Sequence, residues 1–133
     1  MKMLLAGVCV ALIVVAAASA APPPEQLLGT WTRTVSAQDI RREHASKKVK
    51  AGSTWTLVIT QRKSTASSPG ARPYSGSIIP SSATQVNIEI GVHEANLYNW
   101  RRAGKTLTLM KYTDPSADRA AILVGAWKRS SVK

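Results

Sequence analysis

The chain has 133 residues, a formal net charge of +11 and a single cysteine. This length suits one domain and excludes a multidomain enzyme, while one cysteine excludes a small fold stapled by disulfides. After residue 20, no apolar run approaches the ~20 residues that a membrane-spanning helix needs.

The first twenty residues have the pattern of a secretory signal. Lys2 precedes an apolar run over residues 3–17, and Ala18-Ser19-Ala20 supplies the small residues expected at a cleavage site. We therefore expect a secreted protein, extracellular or periplasmic, with cleavage near Ala20. A retained N-terminal anchor is the main alternative.

The only cysteine, Cys9, lies inside this apolar run. It could carry a lipid, but most of the run follows it and no small residue directly precedes it, which argues against lipid attachment. Cleavage removes the only thiol, so burial and backbone hydrogen bonds must hold the fold. Residues 21–27 form a leader stiffened by Pro22-Pro23-Pro24, and residues 28–133 form the domain.

The domain begins with a predicted strand and helix. Residues 28–35 alternate so that Trp31, Arg33 and Val35 share one face. Ser36 and Asp39 resemble a helix-capping pair, and a short helix is predicted over residues 37–48, with its apolar stripe at Ala37, Ile40 and Ala45.

The middle of the chain changes to a two-residue period. In residues 53–61, Trp55, Leu57 and Ile59 share one face. Residues 62–73 are rich in Ser, Gly and Pro and are predicted to be a loop, followed by a weak strand over 74–79. Residues 84–90 form the clearest strand, with Val86, Ile88 and Ile90 on one side.

The last third predicts a hairpin and a closing strand. Residues 95–102 and 105–112 flank Ala103-Gly104, whose glycine suits a tight turn. Residues 113–118 are a polar turn in which Pro115 can begin one helical turn, and 120–129 form the last strand. About seven to eight short strands favour a small all-β, antiparallel up-and-down barrel with one short helix after the first strand, because closure removes exposed edges.

The ends of the domain resemble the lipocalins and the wider calycin group, in small secreted bacterial form. Gly29-Thr30-Trp31 at the head of the first strand resembles the glycine-any-tryptophan signature of that group. The resemblance implies a barrel with an interior cavity, and a basic residue of the last strand across Trp31. Arg129 or Lys128, after Trp127, is in position to do this, and a guanidinium over an indole contributes about 0.5–2 kcal/mol.

Apolar and aromatic residues are the candidates for a ligand site, because small-molecule pockets are lined mostly by such side chains. Trp55 either fills the core or forms a pocket wall, and Tyr98 and Trp100 share a face. The candidate ligand-lining residues are Trp55, Leu57, Ile59, Val86, Ile88, Ile90, Tyr98 and Trp100. The candidate barrel-closing residues are Gly29, Trp31, Trp127 and Arg129.

The chain offers little for catalysis. His44 and His93 lack spaced partners, no Gly-any-Ser-any-Gly elbow occurs, and Arg119 beside Asp114 and Asp118 is typical of a loop-fixing ion pair. We therefore expect no enzyme, no cofactor and no metal site.

Two functions follow from these observations. The first is a secreted, non-enzymatic carrier of a small apolar or amphipathic ligand inside the barrel. The second is a solid barrel whose basic helix and hairpin dock on an anionic polymer, lipid head groups or a partner protein. Nucleic acid is not expected, because the protein is predicted to be exported.

Overall fold

The computed structural model describes residues 23–89 and 96–130, which form a closed antiparallel β-barrel. A 3₁₀ helix (Glu25–Leu27) precedes the first strand, helix α1 (Ala37–Glu43) follows it, and helix α2 (Ala117–Leu123) precedes the last. The strands are β1 (Gly29–Thr34), β2 (Thr54–Ile59), β3 (Lys63–Ser67), β4 (Tyr74–Pro80), β5 (Gln85–Ile88), β6 (Leu97–Ala103), β7 (Thr106–Thr113) and β8 (Gly125–Arg129). The up-and-down barrel predicted from the sequence, with a helix after its first strand, is confirmed.

Each strand pairs with the next, and β1 also pairs with β8 through Trp31 opposite Arg129. The barrel has two distinct ends. The helical end carries segments 35–53, 68–73 and 114–124, which include α1 and α2. The closed end carries the 3₁₀ helix and the turns at 60–62, 81–84 and 104–105. The eight strands that the structure describes lie between residues 29 and 129, so residues 21–133 include all of them.

The two-residue alternation predicted from the sequence correctly identifies side chains that point into the barrel. Trp31 and Val35 are fully buried, as are Leu57 and Ile88, and Trp55 is 4% exposed. These side chains belong to one continuous apolar core, which also includes Ile122 and Leu123 of α2. Helix α2 therefore packs its buried face onto the helical end of the core.

The prediction of a loop over residues 62–73 is wrong for the first half of this segment, where β3 forms. Thr65 pairs with Val58 of β2 on one side and with Ser75 of β4 on the other. Ser64 and Ala66 point inward and are buried. Two flanking strands supply the hydrogen bonds that hold this polar segment extended, despite its weak strand propensity.

The prediction of a closing strand over residues 120–129 is also wrong for the first half of this segment, because α2 extends to Leu123. Ser116, rather than Pro115, begins this second helix, and its side chain accepts a hydrogen bond from the Arg119 backbone N–H. Helix α1 is shorter than the predicted 37–48, because His44 takes a left-handed conformation (φ 58°) that ends it. The predicted cap of α1 is confirmed as a reciprocal capping box between Ser36 and Asp39.

Several sequence predictions lie outside the described residues: the signal segment, Cys9, Ile90 and His93. None of the helices within 23–89 and 96–130 is long and apolar enough to cross a membrane.

Candidate functional site

The helical end carries two adjoining depressions of about 300 and 320 Å³. Both are lined by Lys48, Trp55, Gly70 and Ala71. We call the combined feature the mouth pocket. Its remaining lining residues are Val49, Lys50, Ser53, Ser68, Pro69, Arg72, Tyr74 and Ile122.

The floor of the mouth pocket is aromatic and apolar. The rings of Trp55 and Tyr74 are stacked, with centroids 5.9 Å apart and planes inclined by 28°. The Trp55 indole N–H donates to the Ser53 hydroxyl at 3.2 Å, so its polar edge is satisfied locally. Val49 and Ile122 are buried beside this pair. An apolar group can therefore rest on the floor without breaking a hydrogen bond.

Hydrogen bonds between separate elements hold the loops around the pocket. The Asp118 carboxylate of α2 accepts from the Ser46 backbone N–H at 2.6 Å and from its hydroxyl at 2.7 Å. The Ser68 hydroxyl donates to the Thr54 carbonyl at 2.7 Å and holds the β3–β4 loop against β2. These bonds join the segments that carry the pocket walls to α2 and to β2.

The rim of the pocket is positively charged. Lys48, Lys50 and Arg72 line it, and all three are exposed. None of the three forms an ion pair with a carboxylate in the described part of the chain. No Asp or Glu among the described residues lines the pocket. The site therefore combines an apolar floor with a cationic rim.

Most of the interior residues singled out from the sequence pack against one another. Leu57, Ile59, Val86, Ile88 and Tyr98 are at most 2% exposed and belong to the core cluster. Trp100 is partly buried against that cluster. Of the candidate lining residues that the structure describes, only Trp55 reaches the mouth pocket.

A buried polar cluster lies where α2 meets β6. The Tyr98 hydroxyl and the Arg119 guanidinium both donate to the Asp114 carboxylate, the latter from Nε at 2.9 Å. Arg119 also donates to the side-chain oxygen of Asn96 at 3.1 Å. Burial raises the pKa of Tyr98 far above its ordinary value, and Asp114 raises it further. Tyr98 therefore remains protonated. Of the two acidic residues predicted beside Arg119, Asp114 forms the ion pair, and the bonds to Tyr98 and Asn96 connect it to the barrel.

Helix α1 is held to the barrel by charged contacts of Asp39 and Glu43. Asp39 binds Arg33 and Arg42, each at 2.8 Å. Burial opposes ionisation of Asp39, but the Ser36 backbone N–H and both arginines outweigh it and lower its pKa. Glu43 meets Lys111 at 2.7 Å, and its pKa is likewise lowered, against its burial, by Lys111 and Arg42.

The closed end is covered by cations stacked on Trp31. Its indole N–H donates to the Leu27 carbonyl at 3.0 Å. The guanidinium groups of Arg129 and Arg102 each lie 5.3 Å from its ring centroid. Arg129, rather than Lys128, thus lies over Trp31.

This arrangement is repeated where β8 begins, through a motif that the reading of the sequence missed. Residues 29–33 read Gly-Thr-Trp-Thr-Arg and residues 125–129 read Gly-Ala-Trp-Lys-Arg. The Trp127 indole N–H donates to the Leu123 carbonyl, also four residues earlier, at 2.9 Å, and Arg33 lies 5.7 Å from its ring centroid. Each motif therefore supplies the arginine that covers the tryptophan of the other. We call this arrangement the Gly-Trp-Arg clasp.

The described histidine and carboxylates do not form a metal-binding group. His44 is exposed at the end of α1. Within 23–89 and 96–130, no three His, Cys, Asp or Glu side chains are grouped so that they could hold a metal ion.

Comparison with known proteins supports the fold without assigning a family. No protein-family model and no curated protein matches the chain. Among solved structures, the chain is similar to the lipoprotein YedD from Klebsiella pneumoniae subsp. pneumoniae MGH 78578, with a TM-score of 0.51 and 14% sequence identity. The match covers 86% of this chain and 80% of that chain. At this identity the likeness concerns the fold alone: a bacterial lipoprotein has a similar barrel.

Proposed function

We propose that this protein is a non-enzymatic binding protein that takes a small amphipathic anion at the mouth of its barrel. The observation that carries the proposal is the mouth pocket, in which the stacked Trp55 and Tyr74 form an apolar floor beneath Lys48, Lys50 and Arg72. An alkyl or aryl group fits the floor, and a carboxylate or sulfate head group meets the cations. Ligand sites commonly combine an apolar lining with a few placed polar groups, in volumes of about 300–1,000 Å³.

The packing of the barrel favours the mouth over the interior that the sequence suggested. The side chains expected to line a cavity are instead buried against one another, and α2 lies across the helical end with Ile122 and Leu123 in the core. A ligand inside the barrel would have to displace this helix, together with the contacts that Arg119 makes. A ligand at the mouth displaces only solvent.

Two further observations support a role outside the cytoplasm. The N-terminal sequence has the pattern of an export signal, and the fold is similar to that of a bacterial lipoprotein. In that setting, fatty acids and anionic aromatic compounds are ligands of the right chemistry for the pocket.

Tryptophan fluorescence of residues 21–133, titrated with laurate below its micelle concentration, tests the proposal. We expect saturable quenching by laurate and at least about tenfold weaker binding of dodecanol, because the alcohol lacks the charge that the rim recognises. Changing Lys48, Lys50 and Arg72 together to alanine should weaken laurate binding about tenfold or more. The same change at Arg101, Lys105 and Lys128, which lie toward the closed end, is the matched control and should leave it unchanged.

Two results contradict the proposal. Absence of saturable laurate binding would show that the mouth pocket is not a site for an amphipathic anion. Equal binding of laurate and dodecanol, or equal losses in both triple variants, shows that the rim cations do not select the ligand.

A further inference from the structure

The two ends of the barrel differ sharply in their acidic residues. At the helical end, the described carboxylates are Asp39, Glu43, Glu89, Asp114 and Asp118. At the closed end, the described part of the chain has only Glu25. The cations toward the closed end are Arg62, Lys63, Arg101, Arg102, Lys105, Lys128 and Arg129. The closed end is therefore strongly positive, with a single described carboxylate against seven cations.

Five of these cations are exposed and available to an external partner. Arg102 and Arg129 are occupied by their stacking on Trp31. The other five are exposed, and none of them forms an ion pair with a carboxylate within 23–89 and 96–130. They lie on the β2–β3 turn, the β6–β7 hairpin and the end of β8. We call them the basic face: Arg62, Lys63, Arg101, Lys105 and Lys128.

The N-terminal segment joins the barrel at this same end. The Arg102 guanidinium donates to the Gln26 carbonyl at 2.9 Å, and the Trp31 indole donates to the Leu27 carbonyl. These bonds hold the 3₁₀ helix at the closed end. The apolar sequence 3–17 is separated from the first described residue, Pro23, by only residues 18–22. A membrane that holds or has just released that segment is therefore only a few residues along the chain from the closed end.

We propose that the basic face docks on an anionic phospholipid surface and turns the mouth pocket away from the membrane. The positive charge of the basic face favours an anionic partner. The attachment of the N-terminal segment at the same end favours a bilayer over a soluble acidic polymer. Basic side chains near an anionic bilayer strengthen binding about fivefold each. The proposal is independent of the ligand in the mouth pocket, since the two sites lie at opposite ends of the barrel.

Sedimentation of residues 21–133 with vesicles tests this docking. Vesicles of equal parts phosphatidylglycerol and phosphatidylcholine should bind the protein, whereas pure phosphatidylcholine vesicles should not. Binding should fall steeply between about 0.1 M and 1 M salt, as the screening length shortens from about 10 to 3 Å. The variant R101E/K105E/K128E should bind the anionic vesicles at least about 100-fold more weakly.

The matched control is K47E/K48E/K50E, which makes the same charge change at the helical end. K47E/K48E/K50E should retain vesicle binding but lose laurate binding. R101E/K105E/K128E should lose vesicle binding but retain laurate binding. If the latter does not fold, R101Q/K105Q/K128Q serves in its place with a smaller expected loss.

Three outcomes overturn the proposal. Equal losses in both charge-reversal variants show that net charge alone attracts the vesicles. Vesicle binding lost only in the helical-end variant shows that lipid enters the mouth pocket. Binding to soluble polyglutamate without binding to anionic vesicles shows that the partner of the basic face is an acidic polymer.

Discussion

Replacing Gly125 by alanine tests how much the Gly-Trp-Arg clasp stabilises the barrel. Gly125 has φ +140°, and a Cβ built there would lie 2.5 Å from an Nη atom of Arg33 and 2.9 Å from its Cζ. Arg33 has little room to withdraw. Its side chain is 6% exposed, and it donates to the carbonyls of Ala121 and Ile122 at 3.1 and 2.6 Å and to Asp39 at 2.8 Å.

The expected loss in the free energy of unfolding has two parts. The unfavourable backbone conformation contributes about 1–3 kcal/mol, and each charge-assisted hydrogen bond lost when Arg33 moves contributes about 1.5–3 kcal/mol. If one or two of these bonds are lost, the two parts sum to about 2.5–9 kcal/mol, which is comparable with the whole stability of a small domain, about 5–15 kcal/mol.

Two other glycines provide matched controls. Gly104 also has positive φ (+60°), but no atom lies within 4 Å of a Cβ built there, so its alanine variant loses about 1–2 kcal/mol from the backbone alone. A Cβ added at Gly29 would lie 3.0 Å from Cζ of Arg129, an exposed side chain that can shift, so the loss should be intermediate.

Urea unfolding of residues 21–133, followed by tryptophan fluorescence, measures all three variants. We expect the loss of stability to rise from Gly104→Ala through Gly29→Ala to Gly125→Ala. A Gly125→Ala variant no less stable than Gly104→Ala would refute the conclusion that Arg33 is held rigidly against β8.

Three further predictions follow from buried polar groups. The lowered pKa of Asp39 contributes stability above the unfolded-state pKa, and this contribution disappears as the pH falls through the folded-state pKa. The loss of stability from pH 5 to 2.5 in urea titrations should thus be shallower in Asp39→Asn, which starts from a lower stability at pH 7. The Ser64 hydroxyl is buried without a hydrogen-bond partner among the described residues, so Ser64→Ala should leave the melting temperature unchanged or raise it, and a fall of several degrees would contradict this. Tyr98 should stay protonated until the protein unfolds at high pH, so Tyr98→Phe should remove the late component of the phenolate absorbance change near 295 nm; ionisation of Tyr98 in the folded state would show that the Asp114 cluster is solvent-accessible.

The sequence predicted those parts of the fold in which the pattern of burial is local. The alternation around Leu57 and around Val86 correctly gives strands and their inward faces, and Ser36 with Asp39 marks the start of α1. Each of these signals lies within a few residues, so no tertiary information is needed to read it.

Strand β3 and helix α2 required information from the rest of the chain. Ser64 and Ala66 are small and carry no apolar period, and β3 is extended because β2 and β4 flank it. For α2, a short apolar stretch such as 120–124 is compatible with either period. Contacts of Arg119 with Asp114 and Asn96 favour the helix over a strand in this segment.

The candidate site was only partly predictable for the same reason. The alternation of Trp55 with Leu57 and Ile59 predicts that it either fills the core or forms a pocket wall. Lys50, Arg72 and Tyr74 belong to separate segments that meet only in the folded barrel. The Gly-Trp-Arg clasp was readable in principle, since its two five-residue motifs recur near the two ends of the domain, but their reciprocal contact depends on β1 pairing with β8.

That reciprocity affects the order of events during folding. Arg33 cannot cover Trp127 and Arg129 cannot cover Trp31 until the first and last strands of the barrel have met, and bringing them together closes a loop of nearly the whole domain. A nascent or partly exported chain that ends before Gly125 therefore lacks both arginine–tryptophan contacts of the clasp at once. Pairing of β1 with β8 requires the final strand, so in a chain predicted to be exported the barrel is completed only after residues 125–129 have been delivered.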